Sequence, residues 1–139
     1  MTPEQIVLVQ DSFKQVAAIK DKAAALFYNR LFELDPSLRP LFKGDIAEQG
    51  QKLMATIGIA VQNLKRPDAI LDTVRALGVR HKAYGVTDAH YDTVATALLD
   101  TLATAFGPAF TPDLRAAWTA MYGMVADVMK QAAAETAPA

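Results

Sequence analysis

The chain contains no cysteine among its 139 residues. That excludes disulfides, thiolate metal sites, thiol catalysis and any cofactor attached through a thioether. Histidine is scarce, with only His81 and His90 present. Neither has the Glu-x-x-His or His-x-x-x-His partner of a zinc or di-iron site. Ser12 and Ser37 are the only serines, and neither stands in a nucleophile-elbow context. No glycine-rich loop follows a strand, which argues against a nucleotide cradle. No apolar run approaches the roughly 20 residues needed to cross a bilayer. Met1-Thr2-Pro3-Glu4 lacks the basic region and apolar run of a signal peptide. The formal net charge is -1, and Lys and Arg are scattered. That gives no reason to expect a nucleic acid or membrane partner. The expectation is a soluble cytoplasmic protein.

Apolar residues make up 52% of the chain, a composition that disorder does not fit. The length suits one domain, residues 1–139, able to bury a good core. No alternating apolar run suggests a strand, so the chain reads as all-α with about six substantial helices. Thr2 as N-cap, Pro3 at the first helical position and Gln5 in a capping box predict a helix from Pro3 to Ala18. Asp21 is a candidate cap for a second helix, with Ala24, Phe27, Tyr28, Leu31 and Leu34 inward. Asp35-Pro36 breaks it, because the residue before a proline avoids the α region. A short helical piece follows over Pro36–Leu41, then Phe42 and a polar turn, Lys43-Gly44-Asp45. The next helix runs from about Ala47 to Leu64. After the break at Arg66-Pro67-Asp68, an apolar face of Ile70, Leu71, Val74, Leu77 and His81 continues to Tyr84. Gly85 ends it and Thr87 is a possible cap. Asp88–Phe106 is a long helix that Gly107-Pro108 stops. Thr111-Pro112 starts the last one, with Trp118, Met121, Tyr122, Val125 and Met129 on its stripe. The tail from Ala132 is expected to fray.

Three polar residues fall on apolar faces. His81 is either a satisfied core residue or a metal ligand. Tyr28 is either an ordinary core tyrosine with its hydroxyl on a backbone carbonyl or a donor into a pocket. Gln49, one turn before Leu53, is either inward with partners or at the rim, since a buried amide needs hydrogen bonds. One inward histidine, one buried tyrosine, an inward glutamine and several aromatics in an apolar helical protein suit a haem pocket.

The motifs then become specific in combination. They read Phe27-Tyr28-x-x-Leu31-Phe32, Pro36, Arg39-Pro40-Leu41-Phe42 and Gln49-x-x-Lys52-Leu53. Leu77-Gly78-x-x-His81-x-x-Tyr84-Gly85-Val86, His90-Tyr91 and Trp118-x-x-x-Tyr122-Gly123 follow. In this order and spacing nearly the whole chain resembles a globin. It is most similar to the bacterial single-domain haemoglobins, the haem domain of flavohaemoglobins and the neuroglobin-like bacterial globins. The resemblance implies a three-over-three helical sandwich around a haem b, with helices crossing at about 50°.

It also implies roles. His81 matches the proximal iron ligand, binding through Nε2, with Nδ1–H donating to a carbonyl near Leu77. Phe42 matches the phenylalanine that stacks on the porphyrin. Tyr28, Gln49 and Leu53 match the distal positions. Lys52 and Arg80 match propionate partners. Tyr91 matches a tyrosine behind the proximal histidine, and Val86, Val94, Leu98 and Tyr122 line the proximal and inner walls. His90 reads as a rim or capping residue. The implied ligands are oxygen, nitric oxide and carbon monoxide. Oxygen in such a pocket is a good hydrogen-bond acceptor, and Tyr28 and Gln49 are donors. Tight reversible oxygen binding is therefore the first expectation. Nitric oxide dioxygenation fed by a separate external reductase is the alternative, because the chain ends before a flavin or nicotinamide domain. One departure stands out. Where flavohaemoglobins carry a glutamate in the last helix, this sequence has Ala133, and a weaker push on the proximal histidine is expected.

Overall fold

The computed structural model describes residues 1–42 and 45–135. Lys43 and Gly44 of the expected polar turn, and the last four residues of the tail, lie outside the described residues. Six α-helices make up the described chain: α1 (Pro3–Ala18), α2 (Lys20–Leu34), α3 (Ile46–Gln62), α4 (Leu71–Ala83), α5 (Asp88–Phe106) and α6 (Pro112–Glu135). Short 3-10 segments lie at Pro36–Leu41, Pro67–Ile70 and Gly107–Ala109. No strand occurs among the described residues.

The local signals act as their chemistry requires. Thr2 Oγ1 accepts from Gln5 N–H at 3.1 Å, and Gln5 Oε1 accepts from Thr2 N–H at 3.0 Å. Asp35 Oδ1 accepts from Ser37 N–H at 3.0 Å and opens the first 3-10 segment. Asp45 does the same for α3, accepting from Ala47 N–H at 2.9 Å. The expected cap at Asp21 is not used. The second helix starts two residues earlier than such a cap would place it, at Lys20, with Ile19 in the cap position and no side-chain cap bond. Asp21 instead sits in the first turn, where its charge faces the positive end of the helix dipole. The backbone leaves the helical region at Ile19, φ -121° and ψ 33°, although its N–H bonds back to Val16 O at 3.0 Å and Ala23 N–H bonds to Ile19 O at 2.8 Å. The break between the helices therefore falls at Ile19, before Asp21, and leaves Asp21 inside the helix rather than at its cap.

The helices form two layers, with α1, α3 and α4 over α2, α5 and α6. Three junctions fix them. Trp118, 1% exposed, donates from Nε1 to Ser12 Oγ at 2.9 Å. Ser12 passes its own proton to Leu8 O at 2.7 Å. The largest side chain of the core thus leaves no polar atom unpaired, and it locks α1 to α6. Gln10 Nε2 donates to Val61 O at 3.0 Å and closes α1 on the end of α3. At the crossing of α2 and α3, a Cβ on Gly50 would lie 2.8 Å from the Ala24 Cβ. Only glycine allows the helices so close.

α4 has a different setting. It packs extensively on α6 and makes no comparable contact with α3, its neighbour in the same layer. The apolar side chains accordingly divide. One cluster gathers around Phe27, Tyr28, Leu31 and Leu38, and another around Val74, Tyr91, Ala126 and Met129. α3 borders the first of these and α4 the second.

Candidate functional site

His81 lies on the apolar side of α4, half-buried. Its Nδ1 is 2.7 Å from Leu77 O, one helical turn back. A carbonyl can only accept, so Nδ1 carries the proton. Nε2 then keeps its lone pair for a ligand interaction. Burial holds the imidazole below its ordinary pKa, against the opposing pull of the Leu77 carbonyl. The ring is thus held neutral, which is the form that binds a metal ion. Gly85 ends the turn beyond it at φ +95°, in the left-handed region. There the chain turns toward Leu41, whose Cδ2 would be 3.7 Å from a Cβ on Gly85.

The Tyr84 ring lies 6.2 Å from the His81 ring, tilted by 50°. Leu77, Val86, Tyr122, Val125 and Val128 pack on the cluster of Val74, Tyr91, Ala126 and Met129. The Tyr122 hydroxyl donates to Tyr91 O at 2.7 Å, joining α6 to α5. Burial raises the Tyr122 pKa well above its ordinary value. The Lys130 ammonium lies over the Tyr91 ring, 5.4 Å from its centre.

The other cluster is aromatic. Tyr28 of α2 is 5% exposed. Its ring meets Phe27 edge-on at 5.1 Å and Phe42 edge-on at 5.3 Å, and it stacks on Phe32 at 6.0 Å. Phe42 meets Phe32 edge-on at 5.5 Å, and the Arg39 guanidinium covers the Phe32 ring at 5.3 Å. These contacts fix the tyrosine ring on three sides. Burial raises its pKa to about 12, so the phenol keeps its proton. No described residue forms a hydrogen bond with the Tyr28 hydroxyl. Among the described residues, however, no fully enclosed side-chain polar atom lacks a partner. The hydroxyl therefore looks into open space rather than into packed core.

The sequence-predicted residues fall as follows. Leu53, Val94 and Leu98 pack with the Tyr28 cluster, while Val86 and Tyr122 pack with Tyr91 on the His81 side. Gln49 is half-buried on α3, one turn from Leu53. Lys52 on α3 and Arg80 on α4 are exposed. His90 is turned away from this chemistry, because its Nδ1 accepts from Thr87 N–H at 3.0 Å at the start of α5. Among the described residues no group of His, Asp and Glu could hold a metal ion by itself. The Ala133 carbonyl accepts from the Lys82 ammonium at 3.1 Å.

Two features escaped the sequence reading. One is Gly78, where a Cβ would lie 2.2 Å from Met129 O. The other is the reach of Lys82 across to α6. A glycine inside a helix one turn before an inward histidine is a visible sign of close helix approach. The partner of Lys82, a backbone carbonyl, leaves no trace in the sequence.

These residues fit a haem. A neutral histidine with a free Nε2, an apolar cluster beside α4, and a second cluster carrying a phenol without a protein partner match what a haem needs. The comparisons agree. The globin family model matches residues 25–129, and the chain belongs to the globin family. Neuroglobin of Danio rerio is 34% identical over 88% of this chain and 86% of its own length. Neuroglobin of Dissostichus mawsoni is 31% identical over 89% and 87%. Among solved structures, an engineered carbene transferase made from a proposed nitric oxide dioxygenase of Rhodothermus marinus superposes with a TM-score of 0.88. It is 25% identical, with 97% of this chain and 94% of that one covered. A bacterial globin from Campylobacter jejuni superposes at 0.85 with 23% identity, covering 96% and 97%, and supports the fold. Haem-based gas binding is the function of the family.

Proposed function

We propose that this protein is a single-domain, b-type haem globin that binds oxygen reversibly and tightly. His81 supplies the iron ligand through Nε2, and Tyr28 and Gln49 supply hydrogen bonds on the opposite side. Ferrous haem supplies the affinity for a diatomic gas. Phe42 and Leu53 shape the apolar contact with the porphyrin, and Lys52 and Arg80 at the solvent edge pair with its propionates. Tyr91, Val86, Val94, Leu98 and Tyr122 complete the walls. The observation that carries this reading is the Tyr28 hydroxyl, protonated, fixed by three aromatic neighbours and without a protein partner. A phenol O–H held in that position is a donor available to a ligand that accepts its proton. No described helix is long and apolar enough to cross a membrane, in keeping with a cytoplasmic oxygen carrier or store.

The test is the oxygen dissociation rate of Tyr28→Phe. A hydrogen bond to a partly charged acceptor is worth roughly 1.5–3 kcal/mol, so the rate should rise at least about tenfold. An unchanged rate would remove the basis for tight binding.

A second reading is nitric oxide dioxygenation, converting oxygen and nitric oxide to nitrate with an external reductase as electron donor. It is favoured by the similarity to the Rhodothermus marinus protein. Sustained nitrate formation over many turnovers with a supplied flavin reductase would support it, and a single turnover would not.

A further inference from the structure

α4 carries the proposed iron ligand, yet it does not rest on α3. It is held to α6 at three points along two turns. Near its start, Arg75 forms an ion pair with Glu135. In its middle, Gly78 lies directly against the α6 backbone, where an added Cβ would be 2.2 Å from Met129 O and 2.6 Å from Met129 Cα. At its end, Lys82 Nζ donates to Ala133 O at 3.1 Å. His81 immediately precedes Lys82, and its Nδ1 is tied to Leu77 O, next to Gly78. The imidazole is therefore fixed to a stretch of α4 whose distance from α6 is set by a glycine and whose far end is tethered by an ammonium.

We propose that this clasp places His81, and that Lys82 is a positioning residue for the iron ligand. This rests on the haem reading above. The chemical logic is that a carbonyl oxygen has two lone pairs, so the Ala133 carbonyl can take the Lys82 ammonium alongside any other bond. Lys82 thereby ties the end of α4 to α6. The protein thus fixes its histidine from outside, through the helix, rather than by a charged group on the ring. Gly78 sets how close the two helices come, and Arg75 with Glu135 prevents α4 from pivoting about that contact.

The experiment uses the full chain loaded with haem. The iron–histidine stretching band of the ferrous form and the hydrogen exchange of α4 amides are compared in the wild type, Lys82→Met and Lys82→Arg. Lys82→Met should shift or broaden the band and speed exchange around His81 about tenfold, and Lys82→Arg should restore both. Gly78→Ala should move the band further if it folds, but Lys82→Met decides the matter without it. A band and exchange pattern unmoved in Lys82→Met would overturn the proposal, even if that variant melted earlier. No iron–histidine band in the wild type would instead overturn the haem reading, and this proposal with it.

Discussion

The two walls of the site are built on opposite principles. On the His81 side, three polar groups hydrogen-bond to backbone carbonyls, while the Tyr91 hydroxyl has no protein partner among the described residues. His81 Nδ1 lies against Leu77 O, Tyr122 donates to Tyr91 O, and Lys82 donates to Ala133 O. On the Tyr28 side, the ring is confined by edge-on and stacked aromatics, and the one hydroxyl is left unmatched. On the haem reading proposed above, the first wall would fix a ligand-bearing group in a single orientation, and the second would reserve a donor for something that arrives. The asymmetry separates holding a cofactor from recognising a gas.

Removing the fixed group should have the largest effect. His81→Ala should weaken haem retention by more than the ~10–100-fold that loss of an outer hydrogen-bond partner costs a metal site, measured by haem transfer to a scavenger protein. Retention at the wild-type level would mean that the first wall does not hold the iron. Next comes discrimination. Carbon monoxide is a poorer acceptor than oxygen, so Tyr28→Phe should accelerate oxygen release several-fold more than carbon monoxide release. Equal effects on both gases would make the tyrosine a steric element and erase the contrast between the walls.

A smaller effect concerns pH. The Tyr28 phenol has a folded pKa of about 12 against 10.0 for the free side chain. Its contribution is intact below pH ~10, where neither state ionises, and is lost as the pH rises toward ~12, because the unfolded chain releases the proton first. At ~1.4 kcal/mol per pKa unit, denaturant titrations across that range should show about 1–3 kcal/mol less alkaline loss in Tyr28→Phe. The smallest effect is on the satisfied side. Tyr122→Phe removes one hydrogen bond to Tyr91 O, worth about 1 kcal/mol, and should lower the unfolding midpoint without altering oxygen release.

Much of this was readable from residue order. Thr2-Pro3 and Gln5 specify the start of α1 because capping is local chemistry, decided within four residues. The helical spacing of Leu77 and His81 already put a carbonyl within reach of Nδ1. Asp21 misled because a capping side chain signals a helix start only where the backbone breaks, and the break falls at Ile19. The grouping of Val94 and Leu98 with Tyr28 was not legible either. Which wall a residue of α5 joins depends on where α2 and α6 cross it, and periodicity gives a face without a neighbour. The clasp between α4 and α6 was the least visible. Gly78 shows its meaning only when Met129, far along the chain, lies beside it.

The bond between Trp118 and Ser12 joins residues 106 apart. During synthesis at roughly 5–20 residues per second, α1 leaves the ribosome on the order of 5–20 s before the indole that will cover Ser12. Through that interval the first helix has an apolar stripe and no last helix to set it against. A nascent chain halted just short of Trp118 should therefore be a substrate for chaperones, and one extended past it should not.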